Sequence, residues 1–372
     1  MFIRGAGRTK FGKLNARLPQ LLYEAIVSAK KDAGIGIEEV DACVVSNFLG
    51  GTLDNQSHLN ALVSSLIPGF DKPCFRVESA CASGGTAIYL ASKLVGEFDN
   101  VLVVGAEKMT HREASLVTDS LASAADLELE QERGLTYPAA YALIAEEYFR
   151  KYGYTADVLT TVSLKNHANA NLNPLAHFYH KTVTRADIEA SPQVCTPLRL
   201  FDCSPISDGA AALVLCANKK SDRDVEVLSC EMATDAISMT QRHDITRMPA
   251  TQKAAERAFK KAGIKAADVS LAQVHDCFTI NELVSLESIG LCGYGKAPDT
   301  DTSLTGALPV NTDGGLKANG HPIGATGIAQ VVELVMQLRG EAAQRQVQKR
   351  EYGLGHNVGG SGGSAVVTIL GG

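Results

Sequence analysis

The chain has 372 residues, 45% hydrophobic and 20% charged, with 34 glycines, no tryptophan and a net charge of −6. That length suits two or three domains or one large duplicated core, and the composition is ordinary for a globular protein. The acidic balance, with no offsetting basic tract, excludes a general nucleic-acid binder, and no apolar run approaches the roughly 18 residues of a membrane span.

Phe2 to Gly7 reads as a first strand entering a glycine turn, despite the flanking Arg4, Arg8, Lys10 and Lys13 that a transit peptide would also carry. Leu21 to Ala33 has helical spacing and ends at Gly34, a suitable residue just past a helix end. Val40 to Val45 follows as a buried strand. Val77 to Gly85, Val-Glu-Ser-Ala-Cys-Ala-Ser-Gly-Gly, reads as a tight strand-to-helix turn before the apolar run Thr86 to Val95. It places Cys81 at or near a helix N-terminus, where free N–H groups and the helix dipole favour a thiolate. A core cysteine would read the same way on this stretch alone.

Lys108 to Ser204 is a long insertion rich in Asn, His and Tyr, with helices expected over Tyr137 to Tyr152 and Thr155 to Ala168. It reads as a surface subdomain or as a substrate lid, since long insertions tend to carry function. Beyond it Thr251 to Ala262 is helical, Gly263 closes it, and Val269 to Val274 is a strand.

The second half repeats the first. Gly34, Ile35, Val40 and Val45 match Gly263, Ile264, Val269 and Val274 without a gap. Gly84, Thr86, Ile88 and Val95 fall on Gly324, Thr326, Ile328 and Val335, which sets Cys81 opposite His321. Ser207 to Leu215 and Gly362 to Leu370 are both small-residue-led apolar strands. Three matches in the same order predict an internally duplicated α/β fold whose two equivalent helices meet at a shared interface.

Three more stretches carry chemistry: His275-Asp276-Cys277-Phe278, Asn319 to Gly327 around His321, and Gly355 to Gly363 around His356. All lie at strand ends or helix starts, where α/β proteins bind ligands. Together they supply a nucleophile, bases and oxyanion donors. Each has a plainer reading: a structural His-Pro turn, a core Cys277, a solvated His356. The glycine loops fit neither nucleotide fingerprint. Spacings of 44 to 196 residues carry no metal-ligand signature, and nine scattered cysteines without a C-x-x-C pair argue for free thiols.

These stretches, with Gly105-Ala-Glu-Lys-Met109, Ser207-Asp-Gly-Ala-Ala-Ala212 and Gly314 to Gly327, resemble the thiolase superfamily over essentially the whole chain. The likeness is to the sterol-carrier-protein-2 type and to archaeal and bacterial acetyl-CoA acetyltransferases with a His-Asp-Cys-Phe motif. It implies a five-layered α-β-α-β-α thiolase fold. One half would be 1–110 with 205–222, the other 223–372, and 111–204 a loop domain that helps bind coenzyme A. It implies Cys81 as the acylated nucleophile, His321 as its base, Cys277 as the second acid/base and His275 as an oxyanion ligand. Common thiolases place a Cys-x-Gly motif where this chain reads His356-Asn357-Val358. Gly359 or Gly360 would then supply the second oxyanion N–H, with His356 in support.

The expected reaction is reversible, ping-pong acyl transfer between coenzyme A thioesters, with no metal and no redox cofactor. A decarboxylating ketosynthase using Cys81, His275 and His321, and a non-catalytic acyl-CoA-binding scaffold in a multiprotein complex, are the alternatives. Lys165, Arg185 and Arg199 are the candidate cations for the coenzyme A phosphates. A homodimer or tetramer, an accessory protein partner and a cytoplasmic location complete the expectation. Acyl chain length and direction are not legible.

Overall fold

The structure, a computed structural model, describes residues 1–372. Eleven strands form: β1 (Phe2–Arg8), β2 (Ala42–Ser46), β3 (Cys74–Val77), β4 (Asn100–Glu107), β5 (Gln193–Cys195), β6 (Leu198–Arg199), β7 (Gly209–Cys216), β8 (Val225–Thr234), β9 (Leu271–Gln273), β10 (Tyr352–Gly359) and β11 (Ser364–Gly371). Nine make one sheet in the order β3-β2-β4-β7-β1-β8-β11-β10-β9, while β5 and β6 form a small hairpin.

That order contains the duplication. In the first half β2 runs parallel to β4, β4 antiparallel to β7, and β7 antiparallel to β1. The second half repeats it: β9 is parallel to β10, and β10–β11 and β11–β8 are antiparallel. The counterpart of edge strand β3 is reduced to one parallel bridge between Ala272 and Val310. The halves join through a short β1–β8 seam, Phe2 opposite Glu226 and Ile3 opposite Val225.

The expected helices form over Leu18–Ala33 and Pro249–Ala262, and each ends at a left-handed glycine, Gly34 (φ 65°) and Gly263 (φ 70°). The first covers β1 and β7 and the second covers β8 and β11. Between the two sheet halves lie the helices Ser83–Leu94 and Ile323–Arg339, which pack on each other. Helix, sheet, helix pair, sheet and helix give five layers. A buried core fills each side of the central pair, with Ile88, Ala91, Ile328 and Val331 between the halves.

Small residues set how closely the central helices approach. A Cβ on Gly84 would lie 2.8 Å from the Gly327 nitrogen, and one on Gly327 would lie 2.4 Å from the Gly85 nitrogen. Both helices begin 240 positions apart, at Ser83 and Ile323, so the predicted offset holds at the helix starts.

The inserted segment adds helices Ala114–Ala122, Tyr137–Tyr152 and Asp157–Ala170. The helix Tyr137–Tyr152 buries Tyr141, Ile144, Ala145 and Tyr148 against Phe278 and its neighbours in the second half. The helix Thr279–Ile289, buried along its whole length, follows the His-Asp-Cys-Phe segment. Strand β8 was not among the expected strands. Its buried and open residues mix irregularly, so it lacks the alternation that marks a strand with one covered face.

Candidate active site

Cys81 stands on a turn two residues before the helix Ser83–Leu94. Ala80, just before it, is held at φ 49°, a conformation few non-glycine residues adopt. The Ser83 hydroxyl locks the turn: its oxygen accepts from Ser79 N–H at 2.9 Å while its proton goes to the Ala80 carbonyl at 2.6 Å. Backbone N–H groups of Gly360 and of Cys81 itself face the sulfur and favour its charged form. The expectation of an acidic thiol fails here. Burial pushes the Cys81 thiol up to about 12, and Glu107 and Glu78 add to the rise. Part of the residue stays accessible, but Leu49, Leu53, Met109, Val117 and Ile323 pack against it and leave little water to solvate a thiolate.

His321 sits on the equivalent turn, and its ring stands edge-on to that of His275 with centroids 5.2 Å apart. One ligand atom from each of Cys81, His275 and His321 lies within 4.8 Å of the others. The predicted convergence of segments 240 and 194 positions from Cys81 is therefore met for these three residues.

The hydrogen bonds assign the two imidazoles opposite roles. The Thr326 hydroxyl donates its only proton to the Pro322 carbonyl at 3.0 Å, so its oxygen accepts from His321 Nδ1–H at 2.7 Å. That leaves His321 Nε2 with a lone pair, and no protein group bonds it. For His275 the chain starts at Gly85, whose N–H donates to Asn357 Oδ1 at 2.9 Å and fixes the amide. Asn357 Nδ2 then donates to the Cys81 carbonyl at 2.9 Å and to His275 Nδ1 at 3.2 Å. His275 must carry its proton on Nε2, which is buried and also unpaired. Burial holds His321 down to about 3 and His275 well below the usual range, so both are neutral at physiological pH. One ring offers a base and the other a donor.

The His-Asp-Cys segment alternates. His275 and Cys277 belong to the site, whereas Asp276 turns away from it, accepting from Leu316 N–H at 2.6 Å and Lys317 N–H at 3.2 Å in the stretch before His321 and from Asn166 Nδ2 of the inserted segment at 2.7 Å. Cys277 is buried, and burial followed by the nearness of Cys81 pushes its thiol up. Two tyrosines from the inserted helix reach this point. Tyr141 donates to the Gly360 carbonyl at 3.0 Å and shares a buried cluster with Cys277. Tyr137 carries a buried hydroxyl with no partner beside Gly360.

Other expected residues land elsewhere. His356 points to the opposite face of β10, bonding Thr251 at 2.9 Å, because alternation along the strand gives the site to Asn357 instead. Gly359 ends β10 against the Cys81 turn, where a Cβ would meet the Ser79 carbonyl at 2.5 Å, and it is Gly360 whose N–H reaches the sulfur. Lys165 is neutralised by Glu282 and also donates to the Val310 carbonyl at 3.3 Å, so it is not free for a phosphate. Arg185 pairs with Asp157 and with Glu189 at 3.4 Å on an open surface. Arg199 ends the β5–β6 hairpin, its backbone N–H donating to Asp202 at 2.8 Å.

Asn357, Thr326, Tyr137 and Tyr141 were not singled out from the sequence. Thr326 left a trace as the repeat partner of Thr86, and Asn357 as the residue between His356 and Val358 where a Cys-x-Gly pattern breaks. The Gly105 to Met109 motif proves to be a brace. Glu107 accepts from Asn47, Phe48, Leu49 and the Gly324 N–H, tying the His321 helix to β4.

A duplicated five-layered fold with a cysteine and a histidine on equivalent central helix starts defines a thiolase. The thiolase N-terminal domain matches residues 1–219 and the thiolase C-terminal domain-like family matches residues 232–372. The chain belongs to the thiolase family. It is 43% identical to the acetyl-CoA acetyltransferase of Methanothermobacter thermautotrophicus over 98% of each chain. It is 35% identical to sterol carrier protein 2 of Gallus gallus, covering 99% of this chain and 71% of that protein. Among solved structures, the Ltp2-ChsH2(DUF35) aldolase superposes with a TM-score of 0.86 at 26% identity, over 100% of this chain and 97% of that one. Human mitochondrial 3-ketoacyl-CoA thiolase shares the fold at a TM-score of 0.76 and 19% identity, covering 100% and 98%.

Proposed function

We propose that the protein is an acetyl-CoA C-acetyltransferase, joining two acetyl-CoA molecules to acetoacetyl-CoA or cleaving the product by thiolysis. The single observation that carries this reading is the convergence of Cys81, His275 and His321 with one imidazole poised as base and the other as donor. The name of the archaeal relative supports the acetyl group.

Because the Cys81 thiol is protonated at rest, His321 Nε2 takes its proton as sulfur attacks the thioester carbon. His275 Nε2–H and the Gly360 N–H offer donors to the oxyanion. The departing coenzyme A thiolate takes the proton of Cys277 and leaves as a thiol, which makes Cys277 a thiolate. That thiolate removes the α-proton of the second acetyl-CoA, and the enolate attacks the acyl-cysteine. The Cys81 thiolate leaves and recovers its proton from His321, so the cycle closes with every proton accounted for. No metal or redox cofactor is needed for these steps.

The Cys-His-His set also supports a decarboxylating ketosynthase, which would consume malonyl-CoA and show no thiolysis. Cys277 favours the thiolase reading, since decarboxylation generates a carbanion without a base. The same reading includes a homo-oligomer, a cytoplasmic location and an accessory protein partner. Likeness to an aldolase whose name pairs Ltp2 with ChsH2(DUF35) supports the partner.

The test is a Cys277→Ser variant given acetyl-CoA. Cys81 should still acetylate, since coenzyme A can also leave as a thiolate, while condensation falls by about 10²- to 10⁴-fold, the range for losing a positioned acid/base. Normal condensation would remove Cys277 from the mechanism.

A further inference from the structure

The hydroxyl of Tyr141 has one proton and two acceptors. Tyr141 is 1% exposed, and its ring stacks on Phe278 with centroids 4.6 Å apart, which fixes where the hydroxyl can go. It donates to the Gly360 carbonyl at 3.0 Å and packs in the same buried cluster as Cys277, where it favours charge on that sulfur. Those contacts join the two halves of the site. Gly360 offers its N–H to Cys81, and Cys277 is the group assigned to the carbon–carbon step. A tyrosine kept only to hold the glycine loop would have no need to reach the second sulfur.

We propose that Tyr141 is the positioning residue that makes Cys277 usable as a base, its O–H turning from the Gly360 carbonyl to the Cys277 sulfur whenever that thiol becomes a thiolate. This rests on the thiolase reading given above. When coenzyme A leaves with the proton of Cys277, a negative sulfur is left in a buried site. A phenol O–H packed beside it needs no reorganisation beyond a rotation about its C–O bond. The hydrogen bond forms to the charged acceptor and is released when Cys277 takes the α-proton. No covalent bond changes at Tyr141.

The surroundings make that donor necessary. Cys81 and Asp276 both raise the cost of charge on Cys277, and burial raises it most. Tyr141 and the Phe278 N–H are the groups that oppose them. Tyr137, on the same helix as Tyr141, is partly buried with its hydroxyl shielded near both sulfurs, and His275 lies on the same segment as Cys277. Burial also pushes the Tyr141 phenol well above its ordinary value, so it remains a donor at every working pH.

The experiment separates the two half-reactions in the full-length protein. Acetylation of Cys81 by acetyl-CoA is followed by intact mass in single turnover. Exchange of the α-deuterons of deuterated acetyl-CoA into water reports the base. Tyr141→Phe keeps the ring and its stacking on Phe278. It should acetylate at close to the normal rate, because coenzyme A is a good enough leaving group to depart as a thiolate without the Cys277 proton, yet exchange about 10- to 100-fold more slowly, the loss expected for one hydrogen bond to a charged group. Its exchange profile should also move to higher pH. Installing 3,5-difluorotyrosine at position 141 keeps the donor and acidifies it. That should restore exchange and move the profile back down, and it remains informative should the phenylalanine variant fold poorly. Normal exchange in Tyr141→Phe would overturn the proposal, as would equal losses of acetylation and exchange. If Cys277→Ser itself exchanges normally, the acid/base assignment fails first, so the two failures are distinguishable.

Discussion

His275 and His321 are the same residue type turned to opposite uses by one hydrogen bond each. Thr326 fixes the proton of His321 on Nδ1, and Asn357 forces that of His275 onto Nε2. Thr326→Val removes the hydroxyl at nearly constant volume and leaves the His321 tautomer unset. Acetylation of Cys81 should slow about 10- to 100-fold, with about 1–3 kcal/mol of stability lost for the stranded N–H, measured by single-turnover mass spectrometry beside denaturant unfolding. The pH dependence follows from the same geometry. Burial lowers His321 to about 3, so its base form is lost only as pH falls through that value, and the Cys81 proton is not shed until about 12. The acetylation rate should be flat from about pH 5 to 9, and an acid limb near the ordinary histidine value of about 6.5 would contradict it. Cys81 and His321 were legible because glycines, a proline and a repeated offset mark them, and His275 and Cys277 because they end a strand in the His-Asp-Cys-Phe motif that the resemblance carries. The roles of Asn357 and Thr326 were not, since a polar side chain acting through another residue leaves no pattern that states what it does, even where, as at Thr326, the repeat marks the position. His356 was misplaced for a simple reason: a one-residue step along a strand swaps faces, and the strand's boundaries fix which residue faces in.

At the scale of elements, the site depends on how closely two helices approach. Segments far apart in sequence meet at Cys81 and His321 only because Gly84 and Gly327 let the helices Ser83–Leu94 and Ile323–Arg339 touch backbone to backbone. Gly327→Ala would drive a Cβ to 2.3 Å from Asn357 Oδ1, where the Gly85–Asn357–His275 chain runs. It should cost about 1–3 kcal/mol of stability, the usual penalty for overpacking, and slow acetylation as well, read by denaturant unfolding and single-turnover rates. The duplication was legible in the sequence as two offsets, because glycine-ended helices and apolar strands are strong local signals. Strand β8 and the short edge β3 were not, because neither has a repeating pattern of buried and open residues.

Across the whole molecule, the nine-stranded sheet ends at β3, whose outer edge pairs with nothing in the chain. Phe75 on that strand is 40% exposed, and an open apolar edge invites a second copy. Light scattering should report a dimer or tetramer of the 39.3 kDa chain, and Phe75→Glu should shift it toward monomer. A monomeric wild type would contradict that. No helix is long and apolar enough to cross a membrane. The fold was legible at this scale because the duplication fixes the layer order once the halves are recognised. The coenzyme A cations were not, because ion pairs such as Lys165–Glu282 form between residues more than a hundred positions apart.

The account stands or falls on whether Cys81 carries the acyl group. Intact-mass analysis after mixing with acetyl-CoA should show one acetyl adduct per chain on the wild-type protein, lost on addition of coenzyme A, and none on Cys81→Ala. An adduct that survives in Cys81→Ala, or a wild-type protein that never acquires one, would contradict it.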